Sequence, residues 1–424
     1  MKNIKNINLK DPDVQNNIWT FLSSAVSAGY TFVIVMITTR WVGLRESGAI
    51  SFALSIAMLF SGFIIYGIRP YQSTDIKQEN SFLVYFGMRV ITTILTCIAF
   101  IVFLLIGRLI FNFDDFRMIT SLLMFFIFLV SSFADVFMGE LQRKGLMRIA
   151  GRMIASVFSL AIIVYLIVLL ITDGSIVLSL IFSCVVVFFT FIAWIWKYQS
   201  YFDQIRVKFD IPEIKALIWK VTPLFLSGTA FVYLYSMQRY YLGFLNQDDY
   251  VAIVTFLIMP ATALQLLIGT VFGGAEMTRT AKIYANGQIK ELKKRINLQL
   301  LYALGIAILF ILCSLAFGLP LLSWIFDEDL SAYKFEFLIV SIGGSFLCFQ
   351  TALGTIIVIM RAQKMYLYCL LGVAFIVAPI MWFVIRSYSI LGAAYSFIAF
   401  LLPLSIVLYI LYRIELRKYY KTNR

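Results

Sequence analysis

Twelve apolar runs, each about 20 residues long, make up most of this 424-residue chain. A helix of that length crosses the roughly 30 Å hydrocarbon core of a bilayer, where only helices and closed barrels satisfy their backbone hydrogen bonds. The hydrophobic share is 62%, against about 45–50% in soluble domains. The sequence therefore predicts an all-α polytopic membrane protein. Its predicted transmembrane helices are 17–40, 47–67, 82–106, 118–138, 150–171, 175–196, 217–240, 251–273, 296–319, 335–360, 367–385 and 390–412.

Lysine and arginine are concentrated in alternate connections between the predicted helices. One set of connections, together with both termini, holds the basic residues of 2–10, 69–77, 143–152, 197–220, 279–295, 361–364 and 413–424. The opposite set holds only Arg40, Arg45, Arg108, Arg117, Lys334 and Arg386. Because basic loops are retained in the cytoplasm, both termini are predicted to be cytoplasmic. The net charge of +13 then reflects topology and attraction to anionic membrane lipid, and no nucleic-acid partner is expected.

The composition argues against most enzyme classes. The predicted connections are too short for a soluble cofactor-binding domain, and the chain has no P-loop, no Rossmann glycine pattern and no metal-ligand spacing. It has no histidine, which is the commonest general base. Its five cysteines lie in apolar runs, where free cysteine behaves as a small hydrophobic residue. No cofactor, metal or ATP-driven mechanism is therefore expected.

A charged connection between Lys197 and Lys215 divides the chain near its middle. It predicts two halves of six helices, 1–203 and 204–424. With an even number of helices in each, the halves would be parallel repeats about an axis along the membrane normal. Local similarities at corresponding positions support this division. The similar segments are 67–77 with 273–282, and 142–147 with 360–365.

Polar side chains share one face on the first helix of each half. They are Thr20, Ser24, Ser27 and Thr31 in predicted helix 1, and Thr222, Thr229, Tyr233, Ser236 and Tyr240 in predicted helix 7. Residues three, four and seven apart lie on the same helix face. Such a face packs membrane helices together, or it lines a hydrated central cleft. Both interpretations stay open, with Ser27, Thr229 and Tyr233 as candidate cleft residues.

Arg89, Asp135 and Arg239 are among the charged residues that fall within the predicted helices. A charge at membrane depth is costly unless it is paired or hydrated. In one interpretation Arg89 and Asp135 pair with each other, while Arg239, like Arg40 beside Trp41, extends to the headgroups. In the other, the excess of cations lines a hydrated cleft and serves an anionic, sugar-like or phosphate-bearing substrate.

Three short segments carry a family resemblance. Helix 1 opens with NNIW (16–19) and closes with TRWVGL (39–44), and helix 12 begins ILGAAY (390–395). With twelve helices and short loops, this order resembles the Wzx-type polysaccharide flippases (O-antigen transporters) of the multidrug/oligosaccharidyl-lipid/polysaccharide exporter (MOP) superfamily. Where members often carry an acidic residue before the helix 7 cation, this chain has Gln238.

The resemblance implies a V-shaped pair of six-helix bundles, as in MATE transporters, that alternates between inward-open and outward-open forms. The implied substrate is an undecaprenyl-pyrophosphate-linked oligosaccharide repeat unit, flipped across the bacterial inner membrane for O-antigen or another surface polysaccharide. Besides membrane lipid, the implied partners are a polysaccharide polymerase and a chain-length regulator. The expected substrate-contact residues are Arg89, Arg239, Arg40, Arg69, Tyr233, Ser27 and Thr229. Coupling to a proton or sodium gradient would use Asp135, Glu140 or Glu276.

Three other functions stay open. A multidrug exporter of the same superfamily would carry a carboxylate in helix 1, but no Asp or Glu lies between Asn17 and Thr39. A membrane polymerase or acyltransferase would need a large external loop or clustered histidine and acidic residues, and the sequence has neither. A non-catalytic scaffold for sugar-assembly enzymes is compatible with the sequence.

Overall fold

A computed structural model describes residues 12–74, 80–202, 210–272, 274–360 and 362–422 of the chain. Regular structure in these ranges is entirely helical. The α-helices within them are α1 (Pro12–Trp41), α2 (Leu44–Ile65), α3 (Ile68–Thr74), α4 (Phe82–Ile110), α5 (Asp115–Arg143), α6 (Met147–Ile171), α7 (Ile176–Lys197), α8 (Ile211–Phe244), α9 (Asp248–Phe272), α10 (Gly274–Ala285), α11 (Ile289–Cys313), α12 (Leu319–Phe326), α13 (Lys334–Ile359) and α14 (Gln363–Thr422). A π-helical segment, Ser314–Gly318, joins α11 to α12.

Each predicted transmembrane span overlaps a long helix or one arm of α14. Ten stretches within the described residues are long and apolar enough to cross a membrane. One of them, Gln363–Tyr419, is interrupted at Ser389, whose φ of 47° and ψ of −118° are not helical. It therefore supplies both of the last two predicted spans. The prediction of an all-α polytopic membrane protein is confirmed, whereas the cytoplasmic location of the termini stays a prediction.

The chain divides into two compact units, Met1–Thr229 and Ala230–Arg424, and the division falls inside α8. Within the first unit, α1 packs along α6, α2 along α5, and α6 along α7. Within the second unit, α13 packs on α9, α11 and α14. Ala307 and Ala352 belong to the buried core of the second unit, where small side chains let helices approach closely. The predicted halves, 1–203 and 204–424, stay a prediction.

The NNIW segment joins α1 to the connection between α5 and α6. The Asn16 side-chain amide donates a hydrogen bond to the Gly145 carbonyl at 3.0 Å. Its oxygen accepts one from the Arg148 backbone N–H at 2.8 Å, so Asn16 caps the start of α6, whose first N–H groups lack partners within the helix. One turn later, a side chain on Gly151 would place its Cβ 2.5 Å from the Trp19 carbonyl oxygen. These residues therefore hold helices together.

Candidate functional site

The turn between α2 and α3 positions the first charged residue of the site. Tyr66 and Gly67 both have left-handed backbone conformations, with φ of 45° and 66°. Such residues commonly end a helix, and the Tyr66 N–H accordingly bonds the Gly62 carbonyl at 2.9 Å. The chain then starts α3, a helix of seven residues that packs on α5. This arrangement brings Arg69 to the face of α5.

Asp135 of α5 binds two arginines, one with each carboxylate oxygen. Its Oδ1 is 3.0 Å from Arg69 Nη1, and its Oδ2 is 3.2 Å from Arg89 Nη2. Arg89 has no exposed side-chain area, and its Nη1 also donates to the Ile64 carbonyl. The same carbonyl accepts from Thr92 Oγ1 at 3.0 Å. The ion pair considered from the sequence is therefore present, and Arg69 makes it a triad.

A second carboxylate lies on α5 beyond Asp135. The Glu140 side chain is 1% exposed and lies 2.8 Å from Arg143 Nη2 and 3.3 Å from Lys144 Nζ. Gln72, one turn after Arg69 on α3, donates to Glu140 Oε2 at 3.4 Å. Gly139 leaves room for this amide, because a Cβ there would lie 2.2 Å from Gln72 Oε1.

The residues Arg69, Arg89, Asp135, Glu140, Arg143 and Lys144 are called here the α5 charge cluster. It contains four cations and two carboxylates. Charge-assisted hydrogen bonds of this kind are about twice as strong as neutral ones. An isolated buried ion is costly, so each carboxylate is stabilised by its pair of cations. The cluster as a whole remains positively charged and would attract an anion.

Arg239, near the end of α8, has different surroundings in the second unit. Its Nη2 donates to Ser236 Oγ at 2.9 Å, within the same helix. Its Nε is buried and has no partner among the residues that the structure describes. No carboxylate pairs with it in the described ranges. The neighbouring Gln238 is fully buried and donates to the Tyr235 carbonyl at 2.8 Å.

Tyrosines surround this part of α8. The Tyr233 and Tyr241 hydroxyl oxygens are 2.7 Å apart, and Tyr241 also donates to the Ala378 carbonyl at 3.1 Å. The Tyr241 ring meets Trp382 edge to face, with ring centroids 5.3 Å apart. Tyr235 shares a 2.6 Å hydrogen bond with Thr262 Oγ1. Tyr233, which was expected from the sequence, thus lies in an aromatic, hydroxyl-bearing cluster.

Of the other expected site residues, Arg40 and Ser27 lie on α1, and Thr229 lies on α8 one turn before Tyr233. Arg40 is exposed at the end of α1, about 36 Å along the helix from Asn16. Ser27 is half-buried on α1. Thr229 lies beside Gly62, where an added Cβ would be 3.3 Å from its Oγ1. No described contact joins any of them to the α5 charge cluster.

Glu276 forms its own cluster between α10 and α11. Its carboxylate is 2.5 Å from Arg295 Nη2 and 3.0 Å from Gln299 Nε2. Partial burial by itself raises the pKa of Glu276, but the hydrogen bonds from Arg295 and Gln299 and the charges of Arg295 and Arg279 lower it by more. The net pKa is therefore below its ordinary value. This carboxylate stays ionised near neutral pH.

Sequence reasoning missed Gln72, Gln142, Tyr241 and Trp382. The Gln142 amide oxygen accepts a hydrogen bond from Arg69 Nε at 3.2 Å. Uncharged residues of this kind cannot be found from the pattern of charges along the sequence. A signal for the α3 turn was present in the sequence, because the segment 67–70 joins glycine to Arg69 and Pro70. Its meaning depends on the left-handed pair at 66–67.

Comparison with known proteins gives the family and the fold. The sequence pattern of the family described as Polysaccharide biosynthesis protein matches residues 14–277, which is more than half of the chain. No curated protein matches the sequence.

Solved structures match over nearly the whole chain. An inward-facing multidrug resistance MATE family transporter of the MOP superfamily aligns with a TM-score of 0.70 and 14% identity, covering 96% of this chain and 99% of that one. An outward-facing transporter of the same description aligns with a TM-score of 0.62 and 15% identity, with 97% of each chain covered.

A third solved structure, a MOP superfamily transporter from Pyrococcus furiosus, gives a TM-score of 0.58 at 14% identity, with 99% of each chain covered. It is described as having a binding pocket of reverse polarity that suggests a different function. At such low identity these likenesses establish the fold alone. The chain therefore belongs to the polysaccharide biosynthesis protein family and has the multi-pass membrane fold of MOP superfamily transporters.

Proposed function

We propose that this protein is a flippase that moves a lipid-linked oligosaccharide from the cytoplasmic to the outer leaflet of the bacterial inner membrane. The substrate would be an undecaprenyl-pyrophosphate-linked repeat unit of O-antigen or another surface polysaccharide. Membership of the polysaccharide biosynthesis family and the MOP transporter fold support this assignment. A polysaccharide polymerase and a chain-length regulator would act on the product.

The observation that carries the proposal is the excess of guanidinium groups within and beside the apolar helices. Arg69 and Arg89 share one carboxylate, and Arg239 has no carboxylate partner in the described part of the chain. Ionisable residues inside a membrane commonly mark substrate pathways, and arginine binds phosphate oxygens through parallel N–H donors. An anionic substrate fits these groups, and a cationic drug does not.

The tyrosines on the same stretch of α8 as Arg239 suit the sugar part of such a substrate. Tyr233 and Tyr241 present rings and hydroxyl groups in one place, and Trp382 adds an indole ring. Aromatic side chains offer an apolar face together with a polar edge, which matches the alternating apolar and hydroxyl surfaces of a sugar. Arg239 and this tyrosine cluster are accordingly proposed as substrate-contact residues in the second unit.

The transport cycle would be alternating access. Two solved relatives with this fold are described as inward-facing and outward-facing, and the same pair of states is proposed for this chain. A proton gradient would drive it through Asp135 or Glu140, and a sodium gradient through Asp135, Glu140 or Glu276. All three carboxylates lie within 3.5 Å of at least one basic nitrogen, so a coupling step would have to break an ion pair.

A multidrug exporter is the second candidate, because several solved relatives are multidrug transporters. The polarity of the charges argues against it. Helix α1 lacks acidic residues between Asn17 and Thr39, whereas the α5 charge cluster has more cations than carboxylates.

The test is the sidedness of lipid-linked oligosaccharide in cells depleted of this protein. Undecaprenyl-linked units are quantified by mass spectrometry, and those on the outer leaflet are identified with a membrane-impermeant glycan label applied to spheroplasts. Accumulation on the cytoplasmic leaflet, with loss of surface polymer, is expected. Unpolymerised units on the outer leaflet would instead assign a polymerase or scaffold role and refute the flippase.

A further inference from the structure

The side chains of the two arginines that bind Asp135 differ in how firmly the surrounding protein holds them in place. Arg89 is fully buried, and the Ile64 carbonyl fixes its second terminal nitrogen. Arg69 has 25% of its side chain exposed. It also belongs to the seven-residue helix α3, which follows the left-handed residues Tyr66 and Gly67. Arg89 therefore has a fixed position, whereas Arg69 is the partner that can exchange.

Arg69 also retains an unused donor. Among the described residues its hydrogen bonds use Nε, on the Gln142 amide oxygen at 3.2 Å, and Nη1, on Asp135 Oδ1 at 3.0 Å. Arginine has five N–H donors in a planar fork. The Nη2 edge of Arg69 is therefore available to a further hydrogen-bond acceptor. Of the two acceptors that Arg69 already has, Asp135 is charged and Gln142 is uncharged.

The charges around Asp135 are not balanced. One carboxylate serves two guanidinium groups, and a cation in a poorly solvated site is stabilised by a matching anion. Arg89 Nε is buried and without a partner in the ranges that the structure describes. The triad therefore carries one excess positive charge, and its exposed member is Arg69. A phosphate group, with several acceptor oxygens in reach of one guanidinium, has the required chemistry.

We infer that Asp135 is a resident counter-anion of Arg69, which the pyrophosphate group of the substrate displaces. This inference rests on the proposed function and assigns the site at which the anionic part of the substrate is first held. Arg69 is the binding residue, and Arg89 is a positioning residue that keeps Asp135 in place during the exchange. When the substrate leaves, the ion pair between Asp135 and Arg69 forms again.

The test measures binding of farnesyl pyrophosphate, a short polyprenyl pyrophosphate, to the purified full-length protein in lipid nanodiscs by isothermal titration calorimetry. Asp135→Asn removes the competing anion, so affinity is expected to rise roughly tenfold, which corresponds to about 1.4 kcal/mol. Arg69→Gln is expected to lower it by at least the same factor. Arg69→Lys keeps a charge without the fork and should fall between Arg69→Gln and wild type.

Two controls keep the result interpretable. Arg413→Gln removes an exposed cation near the end of α14 and should leave the affinity unchanged. Asp135→Asn leaves Arg89 buried without a carboxylate and lowers stability. The double variant Arg89→Gln/Asp135→Asn removes both charges, folds without that penalty, and is also expected to bind more tightly than wild type.

Affinity that is unchanged or lower in both Asp135 variants overturns the inference, as does wild-type affinity in Arg69→Gln. The result is separable from the sidedness experiment. Normal sidedness with tighter binding by Asp135→Asn would keep the exchange and reassign the substrate to another anionic lipid. Accumulation of the lipid-linked units on the cytoplasmic leaflet, with no effect of Arg69 or Asp135 substitutions on binding, would support the flippase and refute the exchange.

Discussion

The ring of Tyr66 stacks on the ring of Phe225, with centroids 4.1 Å apart and planes 13° from parallel. The Tyr66 hydroxyl lies 3.2 Å from Thr222 Oγ1. These contacts lie within the first unit and connect the α2–α3 turn to the first half of α8, beside Pro223. The turn also carries Arg69 to Asp135. A shift of α3 after a change of partner at Arg69 would therefore act on α8 through this aromatic pair.

Gly67→Ala tests whether the turn tolerates a side chain. The φ of 66° disfavours any L residue, and the new Cβ would lie 3.3 Å from the Phe225 backbone nitrogen. A left-handed conformation costs an L residue about 1–2 kcal/mol, so the free energy of unfolding should fall by about that amount. The measurement is thermal unfolding of the purified protein in detergent. Gly228→Ala on α8, with nothing within 4 Å of its Cβ, is the matched control and should not lower stability.

Asp135→Asn should destabilise the protein more than Arg89→Gln does. The first change leaves buried Arg89 without a carboxylate, which costs roughly 3–5 kcal/mol, whereas the second leaves Asp135 paired with Arg69. The double variant should lose less than the sum of the two single effects, and a double-mutant cycle on unfolding measures the difference. Export by the double variant should remain low. Full export would reduce the pair to a purely structural role.

Arg239→Ala should abolish export while the protein stays inserted and abundant. The change removes a guanidinium that has no carboxylate partner in the described ranges, so little stability is lost. Surface polysaccharide is measured together with immunoblots of membrane fractions. Arg386→Ala, at an exposed position on α14, is the matched control and should export normally. Normal export by Arg239→Ala would exclude this residue from the substrate path.

Glu276→Gln should lower stability by a constant amount near neutral pH, and this difference from wild type should disappear in acid. A carboxylate with a depressed pKa contributes stability above its unfolded-state pKa and loses it as the pH falls through the folded-state pKa. Because the pKa of Glu276 is lowered, its pair with Arg295 should be complete between about pH 6 and 8. Thermal midpoints of wild type and variant should then differ by a constant amount in that range and converge at lower pH. A difference that changes between pH 6 and 8 would contradict this.

Export by Glu276→Gln should show the same pH profile as wild type near neutrality. The physical reason is that a carboxylate ionised throughout this range takes up no proton during the cycle. Export is measured in cells held at several external pH values, with Glu415→Gln, near the end of α14, as the control. Loss of the pH dependence only in Glu276→Gln would instead identify Glu276 as the coupling residue.

The transmembrane helices could be predicted because apolar length is a local property. Even the break between the last two spans was visible, since Arg386 and Ser387 interrupt the apolar run just before Ser389. Arg89 and Asp135 could be recognised as costly charges, whereas Arg69 falls in a predicted connection between helices. Their arrangement as a triad could not be predicted, because it depends on which helices are neighbours.

Features that depend on the backbone conformation could not be predicted from the sequence pattern. Tyr66 is a non-glycine residue with φ of 45°, and nothing in its identity indicates a left-handed turn. The helix that contains the predicted span 296–319 continues beyond it to Phe326, because the π-helical segment Ser314–Gly318 joins α11 to α12. A π-helix is closed by hydrogen bonds between residues five apart, and this local change in bonding cannot be read from the hydrophobic periodicity of the sequence.

Asn16 makes its two hydrogen bonds to Gly145 and Arg148, which lie 129 and 132 positions later in the chain. Neither bond can form until the ribosome has completed α5 and begun α6. During biogenesis α1 is therefore inserted but not yet docked while three further transmembrane helices, α2, α4 and α5, enter the bilayer. A nascent chain truncated before Gly145 would leave α1 without its anchor and open to the proteases that survey unassembled membrane helices.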